Sequence, residues 1–143
     1  MASHTYRLDS VRWMLRVTYG LVPIATGLDK FFNFLTNWVQ YLNPAIVSML
    51  PMSPQNFMQI VGVIEIAAGL IVLSRFTAFG AYIVSAWLTL IAATLIASDR
   101  YLDIAVRDLA MAVGAYTLGS LTRAKRAEDA LGPRDIRPER PVA

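Results

Sequence analysis

Charged residues are missing from two long stretches of the chain. Residues 31–64 contain no Asp, Glu, Lys or Arg, and residues 76–98 form a second charge-free run of 23 residues that also lacks proline. Apolar runs of ~18 residues or more match the hydrocarbon thickness of a bilayer, beyond what a half-buried helix of a soluble domain requires. The pattern predicts an all-α, polytopic membrane protein: a four-transmembrane-helix bundle with helices over residues 10–34, 54–74, 76–98 and 102–121. Ser10 is the expected N-cap of the first helix. Pro23 inside it removes one backbone hydrogen bond and should kink it, and Gly20 and Gly27 flank that proline at helix-packing spacing. Gly62 and Gly69 bare the backbone of the second helix. In the fourth, Ala110 and Gly114, and Ala115 and Gly119, are small residues four apart that let a neighbour approach closely.

Residues 36–55 do not fit a crossing. Trp38, Tyr41, Leu42, Ile46 and Met49 are apolar, but Asn37, Gln40, Asn43 and Pro44 interrupt them, and Pro51 and Pro54 close the segment. Trp and Tyr concentrate at the headgroup level, so an interfacial or re-entrant segment between helices 1 and 2 is expected, with Trp38 and Tyr41 at the interface. Beyond residue 121 the composition turns to mixed charge. One or two further helical turns are expected, then a flexible tail, because Gly132, Pro133, Pro138 and Pro141 oppose a helix. The organisation is thus an N-terminal flank (1–10), a membrane domain (11–122) and a charged tail (123–143).

Composition narrows the chemistry. Charged residues make up 16% of the chain, below the ~25% usual for soluble domains. Without cysteine there is no disulfide, thiol relay, iron–sulfur cluster or covalent haem attachment, and the single histidine, His4, lies outside every apolar run. A bis-histidine haem, a His-ligated metal or a Ser/His pair within the bilayer therefore cannot be assembled from this chain, and no resident metal or cofactor is expected. The net charge of +3 reads as membrane topology, with no nucleic-acid partner expected. Arg7, Arg12, Arg16, Arg75, Arg123, Lys125, Arg126, Arg134, Arg137 and Arg140 fall on one side of the four-span arrangement, and only Lys30, Arg100 and Arg107 on the other. The positive-inside rule then places both termini in the cytoplasm of an inner-membrane protein. Arg123, Lys125 and Arg126 can also hold anionic lipid headgroups.

Five ionisable residues lie within or at the edges of spans: Asp29, Lys30, Glu65, Arg107 and Asp108. Each costs roughly 2.5–3.5 kcal/mol at a helix centre, so they should pair or face a wet cavity. Glu65 lies ~15 Å down its span at 1.5 Å per residue, and all five can converge in the outer half of one bundle. Two readings compete: a structural ion-pair network tying spans one, two and four, or a polar pocket for a quinone headgroup, a proton or a small polar ligand. In either, Glu65 and Arg107 are expected to approach each other, with Asp29, Lys30 or Asp108 completing the set, since a buried guanidinium cannot shed its proton.

Gly27-Leu28-Asp29-Lys30-Phe31, Gly62-Val63-Ile64-Glu65 followed by Ala68-Gly69-Leu70, and Val106-Arg107-Asp108-Leu109 together resemble the Gly-x-x-Lys, Gly-x-x-Glu and Arg-Asp motifs of the DoxX-like family of small four-helix membrane proteins. The resemblance spans residues 10–122 and implies a four-span bundle associated with respiratory or redox complexes, including thiosulfate:quinone oxidoreductase. Cysteine-dependent roles of some relatives do not carry over to a chain without cysteine. The expected function is a membrane accessory or structural subunit, not an enzyme by itself, with lipids and other membrane subunits or further copies of the chain as partners. The alternative is a quinone-reactive subunit of a membrane oxidoreductase using the outer polar pocket.

Overall fold

The computed structural model describes residues 2–132, with side chains from residue 7 onward. Five α-helices follow in order: α1 (Ala2–Phe32), α2 (Pro44–Met49), α3 (Pro54–Leu73), α4 (Thr77–Ala97) and α5 (Leu102–Leu131), with a 3-10 turn over Trp38–Tyr41 between the first two. No strand occurs among the described residues. The spans expected over residues 54–74, 76–98 and 102–121 are α3, α4 and α5, and these three are long and apolar enough to cross a membrane. α1 is long enough at 31 residues, but Arg12, Arg16, Asp29 and Lys30 lower the apolarity of its two ends. The protein is an all-α membrane protein with several apolar helices.

Two helix ends differ from the expected ones. α1 starts at Ala2, which makes Ser10 an interior residue and not its N-cap. Nothing in residues 2–9 breaks a helix, and Asp9 in this stretch bonds Lys125 near the end of α5. α5 continues ten residues past Leu121, nearly three turns, and stops at Gly132, whose φ of +67° suits a residue without a β-carbon. The flexible tail expected farther on lies outside the described residues.

The other ends follow from local chemistry. Asn33 takes a left-handed φ of 53° just after α1. α2 and α3 each begin with proline in the first turn behind a capping side chain, Asn43 bonding Ala45 N and Ser53 bonding Asn56 N. The helix runs through Pro23, and the Thr26 hydroxyl donates to Val22 O at 3.1 Å.

α1 and α3 pack antiparallel in a register fixed by glycine. A β-carbon on Gly27 would stand 2.5 Å from Gly62 O, and one on Gly69 would stand 2.5 Å from Gly20 O. Both helices place these glycines seven residues apart, so two turns of backbone meet face to face. α4 and α5 pair through alanine faces, and α3 and α4 join through the short connection at residues 74–76. Tyr19, Ala68, Val72, Ala81, Val84, Ala115 and Leu118 from all four long helices form the central core. Residues 33–53 fold over one end, where Asn43 donates to Thr94 O at 3.4 Å and Tyr41 packs edge-on to Tyr101.

Candidate functional site

The close glycine contact between α1 and α3 sets up the charged cluster. Lys30 is three residues past Gly27 and Glu65 three past Gly62, so both project from the seam where the backbones are nearest. Lys30 Nζ lies 2.6 Å from Glu65 Oε2, with Lys30 3% and Glu65 8% exposed. The Thr26 hydroxyl, 3.3 Å from the same carboxylate oxygen, shares its one proton between Glu65 and Val22 O. On its other side the Lys30 ammonium stands 3.8 Å from the centroid of the Trp38 ring, a cation–π contact strengthened by burial.

Asp29 faces the connection after α1. Its Oδ1 accepts from Phe34 N at 3.0 Å and Leu35 N at 3.1 Å, and its Oδ2 accepts from Trp38 Nε1 at 2.7 Å. A carboxylate receiving three N–H groups is charge-compensated without a cation. Gln55 donates to Lys30 O at 3.0 Å and accepts from Asn33 Nδ2 at 3.3 Å, tying the start of α3 to the same turn. The indole of Trp38 thus joins the two charged neighbours, donating to Asp29 through its edge and facing Lys30 with its ring.

The expected contact between Glu65 and Arg107 is replaced by the Lys30–Glu65 pair. Arg107 is 66% exposed, and its Nε lies 3.6 Å from its own neighbour Asp108. The reason is helical phase. Ala105, Asp108, Ala112, Ala115, Gly119 and Thr122 form the buried stripe of α5, and Arg107, about 100° away from Asp108, lies off it. Asp108 is buried within electrostatic range of both Lys30 and Glu65, whereas its neighbour points outward. Four of the five sequence candidates therefore face inward, and Arg107 stands at the rim.

The remaining sequence candidates separate. Tyr41 lies edge-on to Trp38 and to Tyr101, with ring centroids 6.2 and 4.9 Å apart. Lys125 bonds Asp9, Arg126 donates to Arg75 O, and Arg123 is exposed. Thr26, Asn33 and Gln55 had not stood out as site residues. Their polarity in an apolar stretch was the available signal, but their partners lie 22 to 39 residues away in sequence.

A family model described as DoxX matches residues 11–99, which takes in α1 from Val11 through α4 and includes Lys30 and Glu65. Arg107 and Asp108 lie beyond the matched stretch. No curated protein and no solved structure matches the chain.

Proposed function

The chain belongs to the DoxX family, and on that premise we propose that it is an integral-membrane accessory subunit, a four-span bundle that packs against a larger, redox-linked membrane complex and carries out no turnover by itself. The observation that supports this reading is that Asp29, Lys30 and Glu65 are partnered from within the bundle. Lys30 is shared between Glu65 and the face of Trp38, and Asp29 is occupied by Trp38 and two backbone N–H groups. Groups engaged in this way hold helices together; a substrate would have to displace them, and unpairing a buried charge costs about 3–5 kcal/mol. Compensation at Asp29 and Lys30 also lets α1 cross the membrane as the fourth span despite its charges. Val63, Leu70, Phe79 and Val113 remain exposed on the bundle's exterior, a surface suited to lipid or to helices of another subunit.

In this reading the termini and the Arg75 connection face the cytoplasm, and the segment containing Trp38 and Tyr41 lies at the opposite interface of the inner membrane. Reporter fusions after the last residue and at Arg75 should read cytoplasm, and fusions at Asn43 and Asp99 the opposite side; an outward C-terminus would mean that the four-span count is wrong, with the segment between Asn37 and Pro51 the first suspect. Extraction in mild detergent followed by partner identification tests the function. Co-purification of a redox-active membrane complex is the expected result, and quinone turnover by the isolated chain would overturn it.

A second reading, a quinone-reactive subunit, draws on the edge-to-face group of Trp38, Tyr41 and Tyr101 beside Lys30, which offers an aromatic wall to a quinone ring. It requires Trp38→Leu to abolish quinone binding while the bundle keeps its stability.

A further inference from the structure

At the end of the bundle opposite Lys30 and Glu65, the start of α1, the connection between α3 and α4 and the last turns of α5 line an open pocket of about 290 Å³. Arg12, Arg16, Arg75, Lys125 and Arg126 line it, against the single carboxylate of Asp129. Counting Asp9 just outside, which bonds Lys125 and stands 3.7 Å from Arg12 Nε, five cations face two carboxylates, a formal excess of three positive charges.

Two of these cations have structural work. Arg16 donates to the carbonyls of Val72, Leu73 and Ser74 and so closes the C-terminus of α3, while Arg126 donates to Arg75 O. Both fix the walls. Two polar atoms on the walls are buried and have no hydrogen-bond partner: Thr122 Oγ1, on a residue 3% exposed, and Arg12 Nε. Neither atom is open to water, and Arg12 Nε has Asp9 Oδ1 3.7 Å away, so the pull of this pocket on an anion rests on its excess of cationic side chains. The space takes an anionic group with several waters, at ~30 Å³ per water. Arg75, which also lines the pocket, holds its guanidinium carbon 4.9 Å from the centre of the Phe76 ring.

We propose that this cavity binds one phosphate group, as the phosphodiester headgroup of an anionic phospholipid or as free phosphate. Phosphate oxygens accept from the cationic side chains of Arg12, Arg75 and Lys125 that line the pocket, and the charge excess favours a headgroup without a compensating amine. The cavity lies at the end of three membrane-length helices, where a headgroup would meet it. The lipid form of the proposal rests on the membrane reading above; the free-phosphate form does not.

The test uses the full chain in detergent with three probes, dioctanoyl phosphatidylglycerol, dioctanoyl phosphatidylcholine and inorganic phosphate, read by native mass spectrometry and thermal stability. One phosphatidylglycerol per chain should be retained, with phosphatidylcholine at least 10-fold weaker. Competition by inorganic phosphate would identify phosphate itself as sufficient, and its failure to compete would assign the site to the lipid. Arg75→Gln should weaken binding about 10-fold. Arg123→Gln removes the same charge at the same end without touching the cavity and should leave binding unchanged. Equal losses for Arg75→Gln and Arg123→Gln would reduce the effect to diffuse attraction and overturn the site. So would equal binding of the two lipids, or no binding of any probe. Partner identification is independent of these results, so failure here leaves the accessory-subunit reading standing, and the reverse.

Discussion

The two helix pairs of this bundle adhere by different means. α1 and α3 meet backbone to backbone at two glycine crossings and then spend a buried ion pair on the seam. α4 and α5 meet through Ala78, Ala81 and Ala92 against Ala105, Ala112 and Ala115, with Ser85 Oγ donating to Ala112 O at 2.8 Å and Tyr82 lying over Gly119. Hydrocarbon supplies no hydrophobic drive between helices, so close packing and polar contacts must supply cohesion in both pairs. The difference has a cause in composition. α4 carries no charged residue, whereas α1 carries Asp29 and Lys30, which are buried and partnered. The ion pair therefore compensates charge that α1 brings into its seam, and the second pair is held by close packing and hydrogen bonding.

The sharpest way to break this contrast is Glu65→Gln, which leaves Lys30 buried without its carboxylate and should cost about 3–5 kcal/mol in detergent-mixture unfolding. Combining it with Lys30→Met should restore a substantial part of the loss, while combining it with Arg107→Met should restore none. Recovery with Arg107→Met in place of Lys30→Met would overturn the pairing.

Next in size is Gly62→Val. Its side chain would press on Gly27 O and push α1 away from α3, a loss of about 1–3 kcal/mol that brings proteolytic exposure of α1 ahead of α5. On the uncharged pair, Ser85→Ala removes one hydrogen bond between helices and should cost only ~0.6 kcal/mol, the average for such bonds in a membrane protein. Equal losses for Ser85→Ala and Glu65→Gln would erase the distinction between the two pairs.

The smallest effect belongs to Asp9. The hydrogen bond and charge of Lys125, with Arg12 nearby, hold its carboxyl below the usual value of 3.8. Its contribution is complete above that value and fades as pH falls below it, because the unfolded chain takes up the proton first. Acid titration of stability should therefore lose a component below about pH 4 that is missing in Asp9→Asn.

Much of this was legible along the chain. The spans expected over residues 54–74 and 76–98 located α3 and α4 to within a residue or two, and the heptad spacing of Gly20 with Gly27 and of Gly62 with Gly69 marked both faces of the seam. The inward set Asp29, Lys30, Glu65 and Asp108 was also in view. Arg107 misled because it neighbours Asp108 in sequence. One residue on a helix is a 100° rotation, and only the stripe through Ala105, Ala112 and Ala115 separates the two. The role of Trp38 was not legible, since its bond to Asp29 depends on how residues 33–37 turn back over α1.

The sequence by itself determined that the chain is helical and membrane-embedded, because apolar length and the absence of charge are properties of single segments and need no partner. It also determined that the charges at Asp29, Lys30 and Glu65 had to be compensated, because desolvation acts on each residue wherever it is buried. Tertiary structure alone decided which charges meet. The glycine register aligns Lys30 with Glu65, the phase of α5 turns Arg107 outward, and the packing of α1 on α5 brings Arg12 and Thr122 to one pocket. Such pairings depend on rotations and offsets between helices of an ångström or a fraction of a turn, which no one-dimensional pattern records.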